Sequence, residues 1–377
     1  MNSVNKKLKS QLKSIFSHLH EHPEVSWEEH KTTAYIQSLF KKYDCSITTF
    51  EDSPGLIIEI GQGKPVVALR ADIDALWQEI DGQFEANHSC GHDAHMTIVI
   101  GVLLTFLEYD RPHKGTYRFI FQPAEEKGTG ALSFIKKGII DDVDFLFGMH
   151  LRPAEELADN QFAPAIRHGA ARFLKGTIKG DDAHGARPHL NKNAIEIGAE
   201  LIQHINNIHI NPMVPHSAKM TRFESGGESQ NIIPGTASFA LDVRAQTNAV
   251  MEELTEKVTR IANMLADYHG VTIELETGAN IAAAVTSHEA VKIMDDAIEA
   301  SAGAGKKRPA ITTTGGDDFH FYTIKKPELK ATMLAIGCDL EPGLHHPNMT
   351  FNQEILPQAV NILTNALLKA ADTGFKE

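Results

Sequence analysis

The densest group of side chains able to do chemistry lies between His88 and His95, where four of eight residues are histidine or cysteine. In an extended segment, residues two apart point the same way, so Cys90 and His92 are predicted to face one ion, with Gly91 leaving room for it. Thiolate and imidazole ligands suit zinc and neighbouring metals. Two alternatives stay open at this point: a buried thiol beside surface histidines, and a Cys–His nucleophile pair.

Two adjacent glutamates, Glu125 and Glu126, follow an apolar strand and a proline turn. Because neighbouring side chains project in different directions, one carboxylate can bind a metal while the other acts as a general base toward water. Glutamates are also common in the solvated first turn of a helix. The preceding segment Phe119–Phe121 favours the first interpretation, since it delivers the pair from a core strand.

Polar side chains stand at or beyond the ends of four predicted strands. In an open α/β sheet, the crevice outside the carboxyl ends of the strands is where ligands bind. A single histidine is more often structural than metal-binding, but several segments that converge on one crevice point to a ligand set. Five donors are enough for two ions about 3.5–4 Å apart. The candidate ligands are Cys90, His92, Glu126, His150 and His345, and Arg70 and Asp72 end a further strand at the same edge.

An alternation of strands and helices predicts the scaffold for these residues. A first helix carries Leu12, Ile15, Phe16 and Leu19 on one face, and Ser26 is predicted to cap a second helix that runs to about Lys42. The pattern indicates an α/β fold, a three-layer catalytic domain with a mainly parallel sheet. The predicted strands are Gly55–Ile60, Pro65–Leu69, Thr116–Phe121, Phe145–Gly148 and Met333–Gly337, and the predicted helices include Met96–Leu107 and Gln358–Ala371.

A second pattern begins near Arg172. Its order of strand, helix, strands, helix and strand is that of a ferredoxin-like α+β unit. The sequence therefore predicts a catalytic metal-binding domain over 1–172 and 287–377, interrupted by an inserted domain over 173–286. The predicted elements of the inserted domain are Phe173–Lys179, Ala194–Ile208, Ala237–Val243, Val250–Tyr268 and Val271–Leu275.

The composition excludes several classes of protein. With 42% hydrophobic and 23% charged residues, the 377-residue chain is not largely disordered, and its net charge of -13 disfavours nucleic acid and anionic membranes as partners. Three widely spaced cysteines form no disulfide framework, which favours a reducing compartment. No apolar run reaches the length of a membrane span and no secretory signal is evident, so we expect a cytoplasmic location.

The motifs together resemble those of the M20 peptidase family of metal-dependent amidohydrolases, in the branch of aminoacylase-like enzymes, hippurate hydrolase and auxin-conjugate hydrolases. The resemblance covers almost the whole chain, and Cys-Gly-His-Asp followed by Gln-Pro-Ala-Glu-Glu is a highly specific combination. The matching stretches are His22-Pro-Glu-Val-Ser-Trp-Glu-Glu29, Arg70-Ala-Asp-Ile-Asp-Ala-Leu76, Ser89-Cys-Gly-His-Asp-Ala-His95, Phe121-Gln-Pro-Ala-Glu-Glu126, Phe147-Gly-Met-His150, His184-Gly-Ala-Arg-Pro-His189, Asn231-Ile-Ile-Pro234 and Leu344-His-His-Pro347.

The resemblance implies two divalent ions per chain (zinc, manganese or cobalt) and an inserted domain that acts as a lid and forms a homodimer. It implies Glu125 as general base, and the five donors named above as metal ligands. His184 would reach into the partner subunit's site to stabilise the oxyanion, while Asn231 and Arg244 would contact substrate. The chain departs from the family pattern at Trp77, where a proline is usual, and at Gly180–Ala183 and Gly315–Asp318.

The expected function is hydrolysis of the amide bond of small N-acyl amino acids or related conjugates by a dinuclear metal centre. Two alternatives come from other classes. One is a thiol hydrolase that uses Cys90 as its nucleophile. The other is a non-catalytic small-molecule binder that retains the metals, which the altered lid segments would explain.

Overall fold

The computed structural model describes residues 2–109, 112 and 114–373. The chain divides into two compact units. The first comprises Met1–Arg167, Val285–Thr312 and Asp318–Glu377, and the second comprises His168–Ala284 and Thr313–Asp317.

A seven-stranded mixed sheet forms the centre of the first unit. Its four middle strands are parallel, and the strands that flank them on either side are antiparallel to their neighbours. The strands predicted from the sequence are present, each longer than predicted. In order across the sheet they are Ser46–Thr49, Leu56–Gln62, Gly115–Gln122, Val66–Asp72, Phe145–Pro153, Lys330–Leu340 and Phe162–Ala163.

The central strands are hydrophobic on both faces because the sheet is covered on both sides. Val66–Asp72 is buried at every residue, including Arg70 and Asp72. The predicted apolar face of the first helix also lies in the core. The helices of this unit are Asn2–Glu21, His30–Phe40, His92–Glu108, Gly130–Lys136, His288–Ala302, His320–Lys325 and Leu356–Thr373. Within the described part of the chain, no helix is long and apolar enough to cross a membrane.

The second helix begins later than the sequence predicts, and Ser26 is not its cap. The helix starts at His30, and the carboxylate of Glu24 accepts the N–H groups of Lys31 and Thr32 in its first turn. The Ser26 hydroxyl instead donates a 2.6 Å hydrogen bond to Asp74 Oδ2, and Glu29 Oε1 accepts the backbone N–H of Ala124. Tertiary partners have replaced the local capping pattern, because both side chains are buried.

A short hairpin that the sequence analysis did not predict precedes the histidine-rich segment. Its strands Leu76–Ile80 and Gln83–Asn87 are antiparallel. The two-residue turn Asp81–Gly82 has positive φ at both positions, 50° and 84°, as a tight turn matched to strand twist requires.

The second unit contains a four-stranded antiparallel sheet and two helices in the predicted β-α-β-β-α-β order. The helices Ala194–Asn206 and Asn248–His269 pack their apolar residues on the sheet. Two very short strands, Ala183–His184 and Ile232–Ile233, pair with each other. In order across the main sheet the strands are His216–Ser225, Ala237–Ala245, Ala170–Lys179 and Thr272–Ile281. The remaining short elements of the chain are Ile166–His168, Ile311–Thr313, and the 3-10 turns Pro188–Leu190, Ala304–Lys306 and Gln353–Ile355.

Candidate metal centre

The five predicted ligands lie together at the carboxyl-end edge of the large sheet. His150 lies within the strand Phe145–Pro153, three residues before its end, rather than after the strand as predicted. Glu126 follows the strand Gly115–Gln122, and His345 follows Lys330–Leu340 on an irregular loop. The parallel strands therefore bring side chains from distant parts of the chain to one edge.

Cys90 and His92 converge, although the extended segment predicted between them is wrong. Gly91 has a left-handed φ of 82°, and the helix His92–Glu108 begins directly after it. A Cβ at this glycine would lie 2.9 Å from Leu151 Cδ1, so both the conformation and the space favour glycine. A sharp turn into a helix, not a strand, directs the two side chains to the same place.

The ligand atoms form two groups of three that share Cys90. The candidate atoms of Cys90, His92 and His150 lie within 4.8 Å of one another, and so do those of Cys90, Glu126 and His345. The separation between Cys90 Sγ and His150 Nε2 is 3.6 Å. Two overlapping groups with one shared sulfur are the arrangement that two neighbouring cations with a bridging ligand would need.

The hydrogen bonds of the histidines direct the appropriate nitrogen atoms toward this centre. His92 Nδ1 lies 2.9 Å from the carbonyl oxygen of Asp74, and His150 Nδ1 lies 2.7 Å from that of Leu151. A carbonyl can only accept, so in each neutral ring the proton is on Nδ1 and the lone pair is on Nε2. Such carbonyl contacts are typical of metal-binding histidines.

Unpartnered buried atoms support the fit of a cation. Among the described residues, His92 Nε2 and Glu126 Oε1 are buried and have no hydrogen-bond partner. They lie 3.9 Å apart, and Glu126 Oε1 lies 3.4 Å from His345 Nε2. Buried polar atoms without partners are costly, and here the atoms concerned are the lone-pair donors that a metal ion would engage.

His95, the last histidine of the cluster, has a different role. Its Nε2 accepts a hydrogen bond from the backbone N–H of Leu151 at 3.1 Å, so Nδ1 carries the proton and contacts Asp72 Oδ1 at 2.7 Å. Asp72 is also paired with the buried guanidinium of Arg70, with 2.5 Å between Asp72 Oδ2 and Arg70 Nη1. Arg70, Asp72 and His95 therefore form a buried hydrogen-bonded network beside the ligands.

The adjacent glutamates both reach the ligand cluster, and they follow a residue with an unusual backbone conformation. Ala124 has a positive φ of 52°, an uncommon conformation for a residue with a Cβ. The N–H of Glu126 donates to Asp74 Oδ2 at 3.0 Å, while Glu125 Oε1 accepts the N–H of Asp318 at 3.3 Å. Both carboxylates lie near His92 Nε2, with Glu126 Oε1 at 3.9 Å and Glu125 Oε2 at 4.0 Å, so Glu125 is close enough for a role in proton transfer at the same centre.

Glu29 and Asp74 are site-supporting residues to which the sequence analysis assigned no role. Burial, with the nearby negative charge of Asp74, raises the pKa of Glu29 from its ordinary value of 4.5 to about 8. Both residues belong to the motifs quoted above, and membership of these motifs was the only indication of their role available from the sequence. Their partners could not be deduced because they lie far away in sequence.

The remaining three candidates, His184, Asn231 and Arg244, belong to the second unit. His184 and Asn231 are neighbours there, since the N–H of Gly185 donates to the carbonyl of Asn231 at 2.7 Å. The ring of His184 accepts the N–H of Ala186 at Nδ1, so the neutral ring carries its proton on Nε2. How these residues relate to the metal ligands stays a prediction.

Arg244 lies at the end of the strand Ala237–Ala245. Its Nε donates to Asp242 Oδ1 at 2.7 Å, and its guanidinium lies 5.4 Å from the ring centre of Phe173. The side chain lines a cavity of about 170 Å³ together with residues that include His216 and Ser217. Its predicted contact with substrate also stays a prediction.

Comparisons with known proteins identify the family to which the fold belongs. A family model described as Peptidase family M20/M25/M40 matches residues 68–369. The N-acetyl-L-cysteine deacetylase of Bacillus subtilis is 30% identical, over 97% of this chain and 90% of that protein. An N-acetyldiaminopimelate deacetylase of Listeria welshimeri is 27% identical, over 93% of this chain and 96% of that protein.

Two solved structures are similar along nearly the full length. A putative aminohydrolase from methicillin-resistant Staphylococcus aureus has a TM-score of 0.88 and 25% identity, with 97% of both chains covered. A Bacillus subtilis protein described as a dinuclear metal binding peptidase from the M20 family has a TM-score of 0.83 and 26% identity, with 98% of this chain and 99% of that one covered.

These findings define the class as the metal-dependent hydrolases that share this two-unit fold. The chain belongs to peptidase family M20/M25/M40, and it is an enzyme of that class.

Proposed function

We propose that the protein is a dinuclear metal-dependent amidohydrolase that cleaves the amide bond of small N-acyl amino acids. The two relatives named above are deacetylases of N-acetylated amino acids, which supports this substrate class. The observation that carries the proposal is the pair of three-residue ligand groups that share Cys90, with a second glutamate beside them.

Cys90, His92, Glu126, His150 and His345 would hold the two ions, which we expect to be zinc, manganese or cobalt. When bound, such ions polarise the substrate carbonyl and lower the pKa of water. The protein itself holds Nδ1 of His92 and His150 at backbone carbonyls, which leaves Nε2 of each ring for an ion, and it supplies a carboxylate whose buried oxygen has no hydrogen-bond partner among the described residues.

Glu125 is the proposed general base. It takes the proton of the attacking water and later passes it to the leaving amine. Its Oε1 is held by the N–H of Asp318, which fixes the carboxylate while Oε2 faces the ligands. Glu126 Oε1 lies 3.4 Å from His345 Nε2, whereas Glu125 is held by Asp318, so the two neighbouring carboxylates can perform separate tasks.

The second unit is proposed to act as a lid and as the dimerisation surface. His184, whose neutral ring carries its proton on Nε2, would donate to the oxyanion in the partner subunit's site. Asn231 and Arg244 would contact the substrate, with Arg244 suited to a carboxylate because its guanidinium can form two parallel hydrogen bonds.

A thiol hydrolase that uses Cys90 fits the structure less well. Burial, together with the negative charges of Glu126 and Glu125, raises the pKa of the Cys90 thiol well above its usual range. A nucleophilic cysteine requires the opposite shift, since the thiolate is the reactive form. Metal binding, which favours the thiolate, suits this residue better.

The proposal is tested by removal and return of metal. Protein freed of metal by chelation, with its metal content checked by elemental analysis, should not hydrolyse N-acetyl, N-benzoyl or indole-acetyl amino acids. Zinc, manganese or cobalt should restore hydrolysis, with two ions bound per chain. Full activity of protein that contains no metal would refute the dinuclear mechanism, and absence of turnover with the whole panel would refute the substrate class.

A further inference from the structure

The ligand His345 has an unusual local setting. Its side chain is half exposed, it lies on an irregular loop, and its backbone has a positive φ of 65°. A residue with a Cβ adopts this conformation only at a cost of about 1 kcal/mol or more, so neighbouring groups must hold it there. The other predicted ligands lie in or next to the core strands and the buried helix His92–Glu108.

Both peptide groups of His345 are bound by the segment that leads into the cluster. Its N–H donates to the carbonyl of Ser89 at 2.8 Å. Its carbonyl accepts a 2.7 Å hydrogen bond from the side-chain amide of Gln78, Nε2. Gln78 stands in the first strand of the hairpin, next to Trp77, where the chain departs from the family pattern.

The amide of Gln78 is itself fixed in orientation. Its Oε1 accepts the hydroxyl of Ser89 at 2.7 Å and Asn87 Nδ2 at 3.3 Å, which leaves Nε2 to face His345. Asn87 Nδ2 also donates to the carbonyl of Pro347 at 2.9 Å, two residues after the ligand. We name these three residues, Gln78, Asn87 and Ser89, the amide clamp.

We propose that Gln78 is a positioning residue for the metal centre, which holds the backbone of His345 so that its imidazole faces Glu126 and Cys90. Gln78 binds no ion and contacts no reacting atom. The inference rests on the proposed function, because it assumes that His345 is a ligand of one of two ions. It extends that function because it makes the affinity for one of the two ions depend on a side chain of the hairpin.

The decisive variant is Gln78→Glu, which has the same shape. A carboxylate can still accept from Ser89 and Asn87, but it cannot donate to the carbonyl of His345 and places negative charge against it. We expect the ion on the His345 side to bind about tenfold more weakly, at the lower end of the range for groups that support metal ligands. The other ion should bind as in wild type.

The hairpin offers a matched control. Gln83 is exposed on the second strand and makes no side-chain hydrogen bond among the described residues, so Gln83→Glu introduces the same charge nearby without touching the clamp. His345→Ala serves as the reference for complete loss of the ligand. Gln78→Glu should weaken binding of the same ion as His345→Ala does, but to a smaller extent.

The measurement is a competition titration of zinc against a chelator, with metal content per chain and the melting temperature of the metal-free protein. The inference is supported if Gln78→Glu binds one ion more weakly while its melting temperature is unchanged, and if Gln83→Glu binds both ions normally. Ser89→Ala in the wild-type chain should weaken binding of the same ion. In a Gln78→Met background it should have little further effect, because both substitutions act through the side-chain amide of Gln78.

Two results would overturn the inference in distinguishable ways. If wild type binds two ions and Gln78→Glu binds both with unchanged affinity, or loses both equally along with thermal stability, Gln78 does not position His345. If wild type binds no metal, the proposed function fails together with the inference.

Discussion

The buried carboxyl of Glu29 leads to a measurable dependence of stability on pH. The side chain is fully buried, its Oε1 accepts the N–H of Ala124, and its Oε2 has no hydrogen-bond partner among the described residues. Since burial and Asp74 raise its pKa from 4.5 to about 8, the folded chain keeps a proton at neutral pH that the unfolded chain releases.

The sign and size of the effect follow from this difference in bound protons. Below pH 4.5 both states hold the proton, and above pH 8 both release it. Between these limits the folded state binds more protons, so the free energy of unfolding falls as pH rises, by about 1.4 kcal/mol per pH unit and about 5 kcal/mol across the whole window. Between pH 6 and pH 8 the expected fall is about 2–3 kcal/mol.

The substitution Glu29→Gln removes this proton while it preserves the acceptor for Ala124. The amide resembles the protonated carboxyl, so the variant should match wild type near pH 5 and become more stable than wild type as pH approaches 8. The assay is urea unfolding at several pH values. Metal-free protein is used, because divalent cations nearby would favour the ionised carboxyl.

The adjacent, exposed Glu28 provides the control. Glu28→Gln makes the same chemical change on the surface and should follow the wild-type pH dependence. If the unfolding free energies of wild type and Glu29→Gln ran parallel from pH 5 to pH 8, the carboxyl of Glu29 would be ionised in the folded chain and the reasoning would be refuted.

Three further predictions concern the centre itself. Glu125→Gln should retain both ions but lose at least about 10²-fold in kcat, the scale of a positioned base, whereas Glu126→Gln should lose metal as well as rate; equal metal loss in the two variants would contradict their separate roles. Cys90→Asp should keep some metal and activity, because a ligand needs a charged donor and not sulfur, and a fully metallated but inactive protein would instead favour the thiol hydrolase. Glu125→Gln and His184→Ala should each be nearly inactive alone, yet co-expressed they should recover at most about a quarter of wild-type activity if each site combines two chains; tagged mixed dimers without any recovery would rule out the shared site.

The sequence predicted five of the seven strands of the large sheet because these five are mainly apolar runs, and it missed the largely exposed Ser46–Thr49 and the two-residue strand Phe162–Ala163. Buried parallel strands such as Phe145–Pro153 need no partner information to be recognised, only length and composition. The hairpin Leu76–Ile80 and Gln83–Asn87 was missed for the opposite reason. Its strands mix apolar and polar residues, none of which is fully buried, and the Asp81–Gly82 turn is its clearest indication.

Which residues come together at the candidate centre could be predicted, but the local geometry that joins them could not. Cys90 and His92 were placed together on the assumption of an extended segment, whereas a left-handed Gly91 and the start of a helix bring them together. Ser26 matched a capping pattern, yet its hydroxyl bonds to Asp74, 48 positions away. A local sequence pattern predicts a hydrogen-bond partner nearby in the chain, whereas a buried polar group bonds to the partner that the tertiary fold brings next to it.

The order of strands in the large sheet also affects how the protein is made. The strand Lys330–Leu340 lies between Phe145–Pro153 and Phe162–Ala163, so the sheet is incomplete until the last quarter of the chain has left the ribosome. The second unit is almost entirely one continuous stretch, His168–Ala284, and can fold earlier.

At about 5–20 residues per second, synthesis of the chain between His150 and His345 takes on the order of ten seconds or more. During that interval the apolar strands of the nascent chain are without Lys330–Leu340, the strand that completes the sheet, and Cys90 is without His345, the last of the proposed ligands. The proposed metal centre can therefore be complete only late in synthesis.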